Sequence, residues 1–177
     1  MRGKWAAGIP PRNFTWVIRD GLAISERPGG FAPHHRRVRR HEEIVWLRAQ
    51  GFTTVVSLLP STHNLQAYAE LQVAALHRPL PTAGDVRSVL ADLLRDLHGL
   101  LLAGGRVLVH QDDLSDRVVG VAAAYLWWSG RLANAQQAIT VVEHLVGHPL
   151  APAGRELVAV VDTLGGGSGA LRSPRTT

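Results

Sequence analysis

Residues 106–117 bring together the side chains best suited to chemistry. The aliphatic run Val107-Leu108-Val109 leads into His110, Gln111, Asp112, Asp113, Leu114, Ser115, Asp116 and Arg117, and the apolar stretch Val118 to Trp128 follows. This pattern predicts a strand, a tight loop and the N-terminus of a buried helix. An α/β fold binds anions at such a place, because helix N-terminal amides carry partial positive charge and an arginine adds a planar fork that fits phosphate or carboxylate. Three aspartates work against that use. Carboxylates gathered in a partly desolvated loop repel one another, and the incoming anion, unless they are paired. Arg117 therefore has three roles open to it: holding an anion, being neutralised by one of the aspartates, or anchoring the loop to the core.

Other catalytic readings fit less well. Asp112 or Asp113 as a carboxylate nucleophile in an altered hydrolase would need a metal and a partner set that the sequence does not display. Ser115 lacks the Gly-x-Ser-x-Gly context of a nucleophile elbow, so beside His110 it reads as a loop hydrogen-bonder. His144 and His148 are four residues apart, but Gly147 and Pro149 place them at a helix end, where a histidine suits the dipole. Neither a metal nor a cofactor is expected.

Composition narrows the field further. The chain has 177 residues and no cysteine, which excludes disulfides, zinc-thiolate sites and a thiol nucleophile. Its formal net charge is +5, with Lys4 as the sole lysine, a balance that favours anionic partners without naming them. The run His34-His35-Arg36-Arg37-Val38-Arg39-Arg40-His41 is the densest positive segment. It could serve as a phosphate patch for nucleic acid or a partner protein. No aromatics interleave it as in a stacking surface, so a solvated loop is preferred and a nucleic-acid-binding module is kept as an alternative. Its histidines have no carboxylate or thiolate at ligand spacing. The apolar run Val118 to Trp128 is too short to span a bilayer and no secretory signal opens the chain, so a cytoplasmic, soluble protein is expected.

The elements that would position the loop can be read along the chain. Residues 1–12 are a lead-in, 13–164 a single α/β domain, and 165–177 a Gly-rich flexible tail. Phe14 to Ile18 and Leu22 to Ser25 predict a hairpin at a sheet edge around Asp20-Gly21. Arg27 to Pro33 reads as a loop. Glu42 to Gln50 predicts a helix with Ile44, Val45, Leu47 and Trp46 facing inward, stopped by Gly51. Thr53 to Leu59 predicts a buried strand, Asn64 to Ala74 a helix, and Ala75 to Arg78 a short strand. Asp85 caps a long helix from Val86 to Ala103, whose leucines recur at three and four. Helices over Asn134 to Val146 and about Ala153 to Leu164 complete a two- or three-layer α/β domain.

Several of these segments, in order, resemble the atypical small dual-specificity phosphatases of the protein tyrosine phosphatase superfamily. They are Asn13-Phe14-Thr15-Trp16-Val17 with Gly21-Leu22-Ala23, Leu47 to Phe52 leading to Val55-Val56-Ser57-Leu58, Leu76-His77-Arg78-Pro79-Leu80-Pro81, and Val107-Leu108-Val109-His110 with Arg117 seven residues on. The resemblance spans about Asn13 to Val161 and implies a central mixed sheet flanked by helices. It also implies an active loop of the form His-Cys, five residues, Arg, then Ser or Thr. In that chemistry a thiolate attacks phosphorus, loop amides and the arginine hold the phosphoryl oxygens, and an Asp on another loop protonates the leaving group.

On this chain His110 and Arg117 match the frame. Gln111 stands where the cysteine belongs, and an amide is not a nucleophile. Leu114 replaces a loop glycine and Val118 the hydroxyl residue, while Asp116 fits the Asp-Arg pair of some bacterial members. Thr82 follows Pro81 where the acid is expected, and Asp85 is the nearest carboxyl that could swing in. The resemblance thus implies a pseudophosphatase that acts by binding a partner protein or an anionic, phosphorylated ligand through Gln111 to Arg117, with the Arg36 to Arg40 run nearby.

Overall fold

The computed structural model describes residues 7–30 and 37–164. The lead-in up to residue 6, the segment 31–36 and the tail from 165 lie outside the described residues. Strands β1 (Thr15–Ile18), β2 (Leu22–Glu26), β3 (Thr54–Ser57), β4 (Ala74–His77) and β5 (Val107–Gln111) form one sheet in the order β1-β2-β5-β3-β4. β1 runs antiparallel to β2, and every other pairing is parallel. The sheet is therefore mixed, with β5 at its centre.

Helices cover both faces, because the central strands alternate apolar residues on two sides. Leu22, Ile24, Val56, Val107 and Val109 face α3 (Val86–Leu102), α4 (Asp116–Trp128), α5 (Ala135–Val146) and α6 (Pro152–Val160). Ala23, Val55 and Leu108 face α1 (Arg37–Ala49) and α2 (Gln66–Glu70). The result is a three-layer α/β domain in which β5 is buried from above, below and either side. Its carboxyl end opens directly into the loop that precedes α4, the position where parallel sheets place ligand sites.

That helix is apolar all round from Val118 to Leu126 and buried throughout, as a helix enclosed by others must be. It lies closely against α6. A Cβ added at Gly120 would sit 2.6 Å from the Gly154 carbonyl oxygen, so only glycine permits this approach. The loop is thus mounted between a central strand and a clamped helix.

The larger departures from the sequence reading fall in four elements, while other ends shift by a single residue. The first helix begins at Arg37, five residues before Glu42, and carries Arg37 to His41 as helix rather than loop; its buried positions are Glu43, Ile44 and Leu47, while Val45 and Trp46 are half-buried. Glu43 is tolerated inside because Arg39 Nε lies 2.5 Å away and the Gly29 amide donates to it at 2.6 Å. The helix read from Asn64 to Ala74 shrinks to five residues, since Gln72 turns left-handed at φ 62° and sends Val73 into the core. The strand read from Thr53 to Leu59 spans only Thr54–Ser57, with the flanking Thr53 and Leu58 amides still donating to the Arg106 and His110 carbonyls, and the last helix ends at Val160 with a 3-10 turn over Val161–Leu164.

Candidate functional site: the β5–α4 loop

His110 is the last fully buried residue of β5, between Ser25 of β2 and Ser57 of β3. Its Nδ1 lies 3.0 Å from the Gln111 carbonyl oxygen, which makes that nitrogen the donor. Nε2 is buried without a partner among the described residues. Burial pushes the ring down to about 4, against the pull of the Gln111 carbonyl, and the nearby Arg27 adds to the depression. His110 is therefore neutral near pH 7.

Gln111 occupies the first position of the loop. Its Oε1 accepts a hydrogen bond from Ser115 Oγ at 2.7 Å, so the amide is tied across the loop by the loop's own hydroxyl. Two of the loop's three aspartates are also engaged. Asp112 pairs with Arg27 Nη1 at 3.2 Å, and the Arg27 amide donates to the Asp112 carbonyl at 3.3 Å. Asp116 accepts from the Ala151 amide at 2.9 Å at the N-terminus of α6. Asp113 is exposed. Among the described residues the amides of Asp113, Leu114, Ser115 and Asp116 donate to no other group, as expected of the turn that opens a helix.

Arg117 does not pair with any aspartate, contrary to one of the roles left open for it. Its Nη2 donates to the Pro81 carbonyl and, at 3.5 Å, to that of Leu80. Its Nε is buried without a partner among the described residues. The guanidinium thus fastens the loop to the Leu80-Pro81 segment that precedes α3. Thr82 in that segment is exposed. Asp85 does not swing toward the loop: its Oδ1 accepts from the Ser88 amide at 2.9 Å and caps α3. The carboxylate is held by its own helix.

Arg27 is the residue that the sequence reading missed. It lay in a stretch rich in Gly and Pro and was read as loop. A usable signal existed, because it directly follows β2, and a residue leaving a strand next to β5 must emerge beside Asp112. Tyr68 was missed for a similar reason; it is buried with its ring 6.4 Å from His110, and burial pushes its hydroxyl well above the ordinary range. His144 and His148 are exposed, with His148 Nδ1 3.0 Å from the Pro149 carbonyl, and no group of three or more His, Cys, Asp or Glu among the described residues could hold a metal. No described helix is long and apolar enough to cross a membrane.

The fold defined by this sheet, loop and helix set is that of the protein tyrosine and dual-specificity phosphatases. Among solved structures, the kinase-associated phosphatase with its catalytic-site cysteine substituted by serine aligns at a TM-score of 0.72, with 19% identity over 87% of this chain and 96% of that one. Human DUSP28 aligns at 0.64, with 21% identity over 90% and 99%. The core catalytic domain of the PP-IP phosphatase SIW14 from S. cerevisiae, in complex with citrate, aligns at 0.64, with 13% identity over 86% of each chain. No protein-family model matches the chain, and no curated protein matches it in sequence.

Proposed function

We propose that this protein is a catalytically silent member of the dual-specificity phosphatase fold that acts by binding a protein partner or an anionic, phosphorylated ligand at the β5–α4 loop. The observation that carries the reading is the Gln111–Ser115 contact: where the fold's chemistry needs a thiolate, this chain has a neutral amide held at 2.7 Å by a neighbouring hydroxyl. Loss of the acid supports it, since Thr82 cannot protonate a leaving group and Asp85 is committed to its helix. The free amides from Asp113 to Asp116 at the N-terminus of α4 support retained affinity for an anion. Arg117 would have to leave the Pro81 carbonyl to join them.

A loop-aspartate hydrolase gains no support from these contacts. Of its two candidate nucleophiles, Asp112 is paired with Arg27, and Asp113 is exposed with no group of three His, Cys, Asp or Glu among the described residues to hold the metal it would need.

The test is a phosphatase assay with an aryl phosphate, run on the native chain beside Gln111→Cys. The native protein is expected to show no turnover above buffer. Native turnover that disappears on Arg117→Ala would overturn the proposal.

A further inference from the structure

A second polar concavity, separate from the β5–α4 loop, lies between α1 and α2 and has a volume of about 400 Å³. Three cationic or potentially cationic residues on one face of α1 line it, Arg37, Arg40 and His41, spaced so that consecutive turns point the same way. Asn64 enters from the other side, held at φ 67° just before α2. Among the described residues Arg37 and Arg40 form no ion pair, in contrast with Arg39, which is taken by Glu43. Arg40 Nε and Asn64 Nδ2 are moreover buried with no hydrogen-bond partner among the described residues.

Arg40 and Asn64 thus stand in the groove wall with a donor each left unmet inside the protein, and the like charges of Arg37 and Arg40 beside it are costly unless an anion in the groove offsets them. The strain is visible in Arg40, whose affinity for its proton is lowered by burial first and then by Arg27 and Arg37, with Tyr68 opposing. The remaining lining says what kind of anion fits. Gln66 and Glu70 offer amide and carboxylate acceptors, and Ile44 with Leu71 provides an apolar floor. Glu70 disfavours a purely anionic occupant, yet it suits a ligand that carries hydroxyls beside its charged group. The volume also exceeds what phosphate alone would fill and falls within the range of small-molecule sites.

We infer that the α1–α2 groove binds a small polyhydroxylated phosphomonoester, its phosphoryl group held by Arg37, Arg40 and Asn64 and its hydroxyls by Gln66 and Glu70. This site stands independently of the loop reading above.

The test is an amide-resolved NMR titration of the full chain with glucose 6-phosphate, inorganic phosphate and glucose. Glucose 6-phosphate is expected to shift amides around Arg37 to Ile44 and Asn64 to Leu71, more tightly than inorganic phosphate, while glucose alone does nothing. Arg40→Gln should weaken it at least tenfold, and Arg117→Gln should leave the groove response in place. Asn64→Asp serves as a second variant, with thermal melting to establish that each is folded. Shifts confined to Asp112 to Arg117 and abolished by Arg117→Gln would overturn the groove while supporting the loop. Equal affinity for inorganic phosphate, or no response at about 10 mM, would overturn it outright.

Discussion

The β5–α4 loop and the α1–α2 groove both lie beyond the carboxyl ends of strands, and both are polar, but they differ in what their polar groups do. In the loop nearly every charged or hydroxyl side chain is spent on the protein itself: Asp112 on Arg27, Asp116 on the α6 N-terminus, Ser115 on Gln111 and Arg117 on the Pro81 carbonyl. In the groove, Arg40 and Asn64 keep buried donors without a partner. A loop at a strand's carboxyl end can thus keep the outline of a ligand site while its groups satisfy one another, and an unremarkable helix face can be left wanting a ligand. Motif alone would rank these two regions in the opposite order.

The largest effect should come from the clamp that holds the loop's helix. Gly120→Ala places a Cβ about 2.6 Å from the Gly154 carbonyl oxygen, and overpacking of this kind costs about 3 kcal/mol. Denaturant unfolding should show the loss. A cost near zero would mean that α6 does not fix α4, and the loop's self-satisfied geometry would lose its support.

His110 provides the next. Its folded pKa of about 4 lies below the ordinary value of 6.5, so the unfolded chain binds more protons between those limits. Stability is full above about pH 6.5 and falls as the pH drops toward 4, by about 3 kcal/mol in total. Urea midpoints of the native chain and His110→Asn across this window check it. The variant should lose that part of the slope, and an unchanged slope would place the proton uptake elsewhere.

Smaller effects separate the two regions by sign. Removing the Arg117 fastening with Arg117→Ala should cost about 2 kcal/mol, as charged hydrogen bonds to carbonyls do. Arg27→Leu, which strands the half-exposed Asp112, should cost about 1 kcal/mol. Arg40→Leu should act oppositely and stabilise the ligand-free protein by about 0.5 kcal/mol, because it removes an unpaired, part-buried charge. Thermal melts of the last two side by side give the sharpest contrast; destabilisation by both would erase the difference between loop and groove.

Much of this architecture was legible along the chain because it is encoded locally. The alternation from Val107 into His110, the apolar run after Arg117, the Asp85 cap and the Gly147 stop each act within a few residues, and each element appears where those signals put it. The Gln111 substitution was equally plain, and with it the absence of a thiol nucleophile. Where local signals were weak the reading slipped. Arg37 to His41 looked too polar for helix, and Gln72 gave no warning of the left-handed turn that cuts α2 short.

What the sequence determined by itself was therefore chemical identity and local form: a strand-loop-helix, an amide at the head of the loop in a chain without cysteine, and a surplus of positive charge. Only the tertiary structure decided which charges cancel. Arg27 meets Asp112 across 85 positions of sequence, and Arg117 meets Pro81 across 36. Such pairings depend on strand order and helix packing, and no periodicity in the chain records them. The same packing leaves Arg40 and Asn64 in the wall of a cavity, which is why the unmet electrostatic demand of this molecule lies away from the β5–α4 loop.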